Sequence, residues 1–536
     1  MNIFFIGVIL SIVVYLIAGF WAGRNVKDVD DYYVAGRSAP TILIAGTLFA
    51  SMLSVNGFMG DQGWVYTGNL VTLIGLDAIC AIGYVAGPLM FGRYLRRSEC
   101  NTMPEFFGNR FNSFKNRRVA GIVVTIGITT YLISSITGVG ILMQELTGLS
   151  YNVCIFLAWF TFTAFTFYSG SSGVILTDTM MFLVFLVAAI ISGPYIFNAQ
   201  GGLGSLLENL MNNPNLPEGA LAYHGNIPGT GAINERGAVI YMISTGIMWL
   251  IVYAISPWQA GRNMMAKSEH VIVRAGCVCA FCGIVFLLWL SMQSQAVINL
   301  KPDLEDSQRV LIWAAYNVMP KIVGTLMLSG IMAAGLSSAS TFLSVVGFTI
   351  TTDLVQHEFK NDKEQLRISR IVMLIAGVIA LVLTYAGLGG IRIVTYFASS
   401  MIAASWGVSG IGSIWSKKLS ATGARWSQVA GMLGYVIPRI LKGTGEPWAS
   451  LFGDFLDPFF IGLLISLLFA VLGSKLYPVT EPELAYRERL MILPDSEKVA
   501  SEYKRDRIYG YILIIGGIAT TLFLVFGWAI PYNALK

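Results

Sequence analysis

Apolar runs of the length a bilayer demands recur along this chain almost from end to end. Crossing the ~30 Å hydrocarbon core takes about 17–25 apolar residues in a helix. Roughly fourteen such runs can be placed, starting near residues 3, 41, 70, 119, 151, 173, 237, 272, 319, 368, 391, 422, 456 and 506. Backbone amides in hydrocarbon must find partners within their own segment, so runs of this length mean helices. The expected fold class is therefore an all-α integral membrane protein of about 14 transmembrane helices. Composition agrees: 12% of the 536 residues are charged, against about 25% in soluble domains. The first run has no basic residue ahead of it and no cleavage-like end, and reads as a retained helix rather than a signal peptide.

Lysine and arginine set the sidedness, because basic loops stay cytoplasmic. With the N-terminus outside, Arg24, Lys27 and Arg37 share the first inner loop, and seven bases from Arg93 to Arg118 the second. Later inner loops hold Arg262, Lys267 and Arg274, then Lys360, Lys363, Arg367 and Arg370, then Lys417, Lys418 and Arg425. Roughly 27 of the 35 basic residues then lie inside, and fourteen crossings return the C-terminus to the outside. The formal charge of +5 thus reflects topology in a cell membrane, and nothing in it points to nucleic acid.

Polar groups within the apolar runs carry the functional signal, since an unpaired one in hydrocarbon costs several kcal/mol. From Ala333 to Thr341 the chain reads Ala-Ala-Gly-Leu-Ser-Ser-Ala-Ser-Thr. Ser337, Ser338, Ser340 and Thr341 cover less than half of a helix, and their small neighbours admit another backbone. A hard cation, which prefers oxygen ligands, is the natural occupant. Two carboxylates also sit well inside runs, Asp77 and Asp178, each costing at least roughly 2.5–3.5 kcal/mol at mid-membrane. If Asp178 meets the hydroxyls, one negative charge and several neutral oxygens suit a monovalent cation; the alternative is a protonated or helix-capping acid near the inner surface. Asp77 is either a partner for a solute amine or hydroxyl, or a protonated acid bonded to a neighbouring helix. Ser54, Asn56 and Gln62 carry the same ambiguity, since Gln62 and Asp61 can equally face outer water; Arg392 reads as an interfacial anchor in preference to a substrate clamp. Cys277, Cys279 and Cys282 lie on an apolar helix with no histidine beside them and read as packing residues. His224, His270 and His357 form no constellation.

Counting suggests a repeat. Residues 41–197 and 237–417 each hold five runs, and an odd number makes the second set start from the opposite side. Each set opens with an irregular helix: Ala50 to Gly57 in the first, and Trp249, Tyr253, Ser256 and Pro257 in the second. Interrupted helices at matching positions of inverted halves point to a transporter's central site. The remaining segments are an extra helix and inner loop (1–40), an Asn-, Gly- and Pro-rich external loop (198–236) and accessory helices (418–536).

Five motifs in order, spread over nearly the whole chain, resemble the sodium/solute symporter family. They are Asp31 to Arg37; Gly60, Gly63, Tyr66 and Gly68; Asn101 to Phe106; Gly261 to Ser268; and Ala333 to Thr341. The resemblance implies two inverted five-helix repeats of the LeuT-like kind and a ligand near the midplane between the broken helices. It implies a first sodium held by the carbonyls of Ala50, Leu53 and Ala334 with the hydroxyls of Ser337 and Ser338. Some members hold a second sodium, whose ligands fall here on Asp178, Ser337, Ser340 and Thr341, so two ions are expected. Sugar-transporting members place Asn, Glu and Gln where this chain has Met52, Asn56 and Gly57, and the arginine of sialic acid members has no counterpart. The solute pocket is expected around Ser54, Asn56, Gly57, Asp77, Trp249, Tyr253, Tyr396 and Ser399, whose acid and aromatics favour a cationic or hydroxylated solute.

The function expected is import of a small polar solute with sodium, by a chain working as a monomer. Proton coupling through Asp178 is the nearest rival. A sensor would need a kinase module that this chain does not carry, and an enzyme a nucleophile–base pair or metal cluster that its few histidines do not supply.

Overall fold

The computed structural model describes residues 3–23, 29–355, 359–454 and 456–535, and of these the side chains of 22–23, 29, 32, 168–172 and 453–454 are left aside. Arg24, Lys27 and His357 lie outside the described residues. Among the described residues the secondary structure is helical, apart from one isolated parallel bridge between Ala39 and Ala266. Twelve helical segments there are long and apolar enough to cross a membrane. Two further helices stand where the sequence places its fifth and twelfth crossings: an apolar stretch Tyr151–Phe167 and Ala421–Gly443, which keeps Pro438 inside it.

The helices that build the centre are α1 (Ile3–Gly23), α2 (Thr41–Val55), α3 (Asp61–Tyr66), α4 (Leu70–Gly87), α5 (Phe114–Thr147) and α6 (Tyr151–Ala199). The second half contributes α7 (Glu235–Ile255), α8 (Pro257–Met265), α9 (Glu269–Leu300), α10 (Lys321–Thr349), α11 (Asp362–Tyr385) and α12 (Ile391–Trp415). Then follow α13 (Ala421–Gly443), α14 (Pro458–Leu476) and α15 (Ala500–Leu524).

Helical hydrogen bonding runs unbroken through the 49 residues of α6, a rod of about 73 Å if straight. It is not straight. A methyl group on Gly19 of α1 would touch both Phe165 and Thr177, at 3.1 and 3.5 Å. Residues twelve apart would be about 18 Å apart along a straight helix, so α6 bends between Phe165 and Thr177.

Close packing between helices rests on small residues, since lipid supplies no hydrophobic drive to bring helices together. A Cβ on Gly83 of α4 would lie 2.5 Å from the Leu250 carbonyl of α7, and one on Gly87 2.7 Å from the Ala254 Cα. The backbones of α4 and α7 are therefore in direct contact.

The sequence motifs knit together on one face of the molecule. Arg37 donates to the carbonyls of Glu99 and Cys100 and to the Asn101 side chain. Ala39 donates its amide to the Met265 carbonyl and accepts from the Lys267 amide, and Arg96 donates to the Ala266 carbonyl at 2.7 Å. Thr102 and Glu105 cap the short helix Met103–Arg110, at whose end Arg110 donates to the carbonyls of Ser413 and Glu483. Burial pushes the Arg110 guanidinium down to about 10, so it stays charged at neutral pH. This is the basic face of the molecule.

Gly83→Leu is expected to force α4 from α7 and lower unfolding stability by about 1–3 kcal/mol. Gly510→Leu, at a glycine with nothing within 4 Å, is the matched control. Equal melting temperatures for the two variants in detergent would contradict the packing argument.

Candidate functional site

Two helices break near the middle of the bundle, each for a local reason. In α2 the backbone of Ser54 adopts φ 29° and ψ −179°, a conformation that costs a residue with a side chain about 1–3 kcal/mol. Asn56–Gly60 then form a single wide turn before α3. Gly60 has to be glycine: a Cβ there would lie 2.3 Å from Asn56 Oδ1 and 3.2 Å from the Arg392 amide nitrogen. Between α7 and α8 the break falls at Ser256, extended at φ −64° and ψ 151°, because the following Pro257 disfavours a helical residue before it and has no N–H to give.

One cluster joins both breaks to the serine-rich helix. The Ser54 and Tyr131 hydroxyls lie 3.3 Å apart, the Tyr131 ring is 5.5 Å from Trp258 just past the second break, and both rings meet Phe342 of α10. A Cβ on Gly335 of α10 would lie 2.8 Å from Val55 Cγ2, so α2 and α10 touch at the break. Ala50, Leu53, Ala334, Ser337 and Ser338 are all buried there. Ser338 donates to the Ala334 carbonyl at 2.9 Å, and Asn56 N–H to Leu53 O.

Asp178 is fully buried and meets the hydroxyl cluster. Its carboxylate accepts from Ser337 and Thr47, each at 2.6 Å. Its third partner was read from the sequence as a loop residue: Arg262 of α8, whose guanidinium lies 3.1 Å from Asp178 Oδ2 and donates to Thr341 Oγ1. Ser340 turns away onto the Ser337 carbonyl. Asp178 and Thr341 thus hold a cation, and that cation is a side chain. Arg262 shares a narrow cavity with Tyr33, Asn101 and Thr102, on the basic face.

A second buried pair lies on the other side of the breaks. Arg392 is not an interfacial anchor: its side chain is only 14% exposed and its Nε lies 3.1 Å from Asp61 Oδ1. The guanidinium stands 3.7 Å from the Trp64 ring and 4.0 Å from Tyr396, and donates to Tyr241. Asp61 also accepts from Asn56 and Tyr396. Nor does Gln62 face water; it is buried between the Gly57 carbonyl and Ser294.

The expected solute residues divide. Asn56 and Tyr396 belong to the Asp61 pair, and Gly57 gives its carbonyl to Gln62. Trp249 packs between Tyr253 and Tyr396 at 5.4 and 5.5 Å, and Tyr253 stacks on Tyr84 at 4.4 Å. Asp77 makes no ion pair among the described residues and has the Cys80 thiol 3.8 Å from its Oδ1. The Ser399 hydroxyl and Asn56 Oδ1 are buried without a hydrogen-bond partner among the described residues.

Broken helices with buried ionisable groups around a central point define a secondary transporter. The comparisons with known proteins narrow the class. The family model for sodium:solute symporters matches residues 32–431, and the chain belongs to that family; it is a sodium-coupled symporter. It is similar to the sodium/proline symporter of Escherichia coli (strain K12), 24% identical over 481 residues, 86% of this chain and 91% of that one. It is also similar to the osmoregulated proline transporter OpuE of Bacillus subtilis (strain 168), 23% identical over 497 residues, 86% and 95% of the two chains. A Na⁺-coupled sialic acid symporter solved in a substrate-bound outward-open state has the same fold, at TM-score 0.72 and 16% identity, covering 90% of this chain and 99% of that one. Mhp1, a nucleobase-cation-symport-1 family transporter, superposes at TM-score 0.53 and 13% identity over 85% and 98%. The fold is thus the LeuT-like one.

Sequence reading missed Arg262, Arg392 and Tyr131 as central residues. Arg392 had a signal: a lone base inside an apolar run, four residues before Tyr396 and with Asp61 two turns past a helix break. Arg262 had none, because its burial depends on where α8 docks.

Arg392→Gln leaves the Asp61 carboxylate buried and unpaired, and is expected to cost about 3–5 kcal/mol. Asp61→Asn combined with Arg392→Gln should recover most of that loss. A double variant no more stable than the single one in thermal denaturation would contradict the pairing.

Proposed function

We propose that the chain imports a small polar organic solute with one sodium ion by alternating access, working as a monomer with both termini outside. In this reading residues 41–197 and 237–417 are the two inverted repeats, flanked by 1–40, the external loop 198–236 and the accessory helices 418–536. The observation that carries it is the contact of the first broken helix with the serine-rich helix at Val55 and Gly335. The sodium lies there, between the carbonyls of Ala50, Leu53 and Ala334 and the hydroxyls of Ser337 and Ser338. A sodium that binds this arrangement better than any other stabilises the solute-competent state, and the solute does the same for sodium.

What supports a single ion is Arg262. The four oxygens of a second site, Asp178, Ser337, Ser340 and Thr341, include two that hold its guanidinium, so Asp178 already has its positive charge. The two buried pairs then act as latches on opposite sides of the breaks: Asp61–Arg392 closes the outer side and Asp178–Arg262 the inner. Releasing one while keeping the other exposes the centre to one side at a time.

The solute reads as one carrying an ammonium group. Asp77 supplies a carboxylate without an ion-pair partner among the described residues, and Trp249 and Tyr253 supply aromatic faces that attract cations; Ser54, Asn56, Gly57, Tyr396 and Ser399 complete the pocket. Two of the similar proteins are proline transporters by name, and proline carries such a group.

Sodium at 100 times its dissociation constant is expected to stabilise purified protein by about 2.7 kcal/mol at fixed pH, and Ser338→Ala should remove most of that shift. A pH-dependent stabilisation indifferent to sodium would replace sodium with protons as the driving ion. Sodium titrations should fit one site in the parent, and steepen towards two in Arg262→Gln, where Asp178 is left free to bind an ion. A parent that already binds two sodium ions would overturn the role given to Arg262.

A further inference from the structure

Away from the transport pathway, a groove of about 890 Å³ opens between α12 and α14 on the side of the bundle. Its deep end is the contact of Gly407 with Leu463 and Ile251; a Cβ on Gly407 would lie 3.1 Å from Leu463 Cδ1. Its walls are apolar, with Leu467 and Val471 exposed along α14. Its other end carries three lysines from two separate segments, Lys417, Lys418 and Lys475. All three are exposed, and none forms an ion pair among the described residues. The acids nearest in sequence sit on the helix Glu481–Met491, where Glu483 is turned onto the backbone amides of Ala421 and Thr480.

The dimensions are those of one lipid leaflet. Leu463 and Lys475 are separated by about 18 Å of helix, and half of a bilayer's hydrocarbon is about 15 Å. Trp415 and Tyr477, both exposed, flank the lysines, and such aromatics sit at the headgroup level of a membrane. Apolar walls one acyl chain long, ending at headgroup depth in unpaired positive charge, match a molecule with long tails and an anionic head. A free anion has no use for the walls, and a zwitterionic lipid none for three uncompensated lysines.

We propose that this groove is a binding site for an anionic phospholipid, its acyl chain lying between α12 and α14 and its phosphate held by Lys417, Lys418 and Lys475. The test is native mass spectrometry of protein released from nanodiscs of equal phosphatidylglycerol and phosphatidylcholine. Phosphatidylglycerol should be retained preferentially. Each Lys→Gln change should weaken that retention roughly fivefold, and K417R/K418R/K475R should keep it. Leu467→Trp, which fills the groove without altering charge, should lose it. Sodium-dependent thermal stabilisation, measured in parallel, shows that each variant is folded. The proposal fails if both lipids are retained equally, if K417Q/K418Q/K475Q holds phosphatidylglycerol as well as the parent, if glycerol 3-phosphate displaces the lipid at equal concentration, or if a second copy of the chain occupies the groove in its place.

Discussion

A helix that breaks inside hydrocarbon strands backbone carbonyls and amides where no water can reach them. The centre of this protein is organised around two such breaks, at Ser54 and at Ser256. Each is enclosed by protein rather than lipid: Tyr131, Trp258 and Phe342 tie both to the serine-rich helix. Chain that is held only loosely by its own hydrogen bonds is where a small ion can be bound and released.

On either side of the breaks lies a guanidinium–carboxylate pair, Asp178–Arg262 fully buried and Asp61–Arg392 largely so. Buried pairs contribute little net stability, because the cost of removing two charges from water offsets most of their attraction. Separating one such pair without replacing its partners is expensive, however. That asymmetry makes each pair a two-position element, held closed or satisfied by something else, rather than one that loosens by degrees. Asp61 has Asn56 and Tyr396 besides Arg392, and Asp178 has Thr47 and Ser337 besides Arg262. In both cases the carboxylate precedes residue 200 and the arginine follows it, so each pair ties early chain to late chain.

Much of this was legible from residue order. The apolar runs coincide with the helices that are long enough to span a membrane among the described residues. Pro257 announced one break and the Ser54–Gly60 stretch the other. Asp178 and the Ser337–Thr341 cluster met as their polarity required, since neither had another place in the membrane to go. Arg392, by contrast, was misread because an arginine near the end of an apolar run usually reaches for the interface; Asp61, Tyr241, Trp64 and Tyr396 make a better place for it inside.

The sequence alone determined where the apolar runs lie, the two breaks and the set of polar oxygens within the runs. These are properties of single segments in hydrocarbon, where period, proline and polarity leave few choices. Only the tertiary structure decided which charge faces which oxygen. Arg262 reaches Asp178 across 84 residues of chain, and Arg392 reaches Asp61 across 331. Contacts so distant in sequence depend on how helices dock, and no local preference of either partner records them.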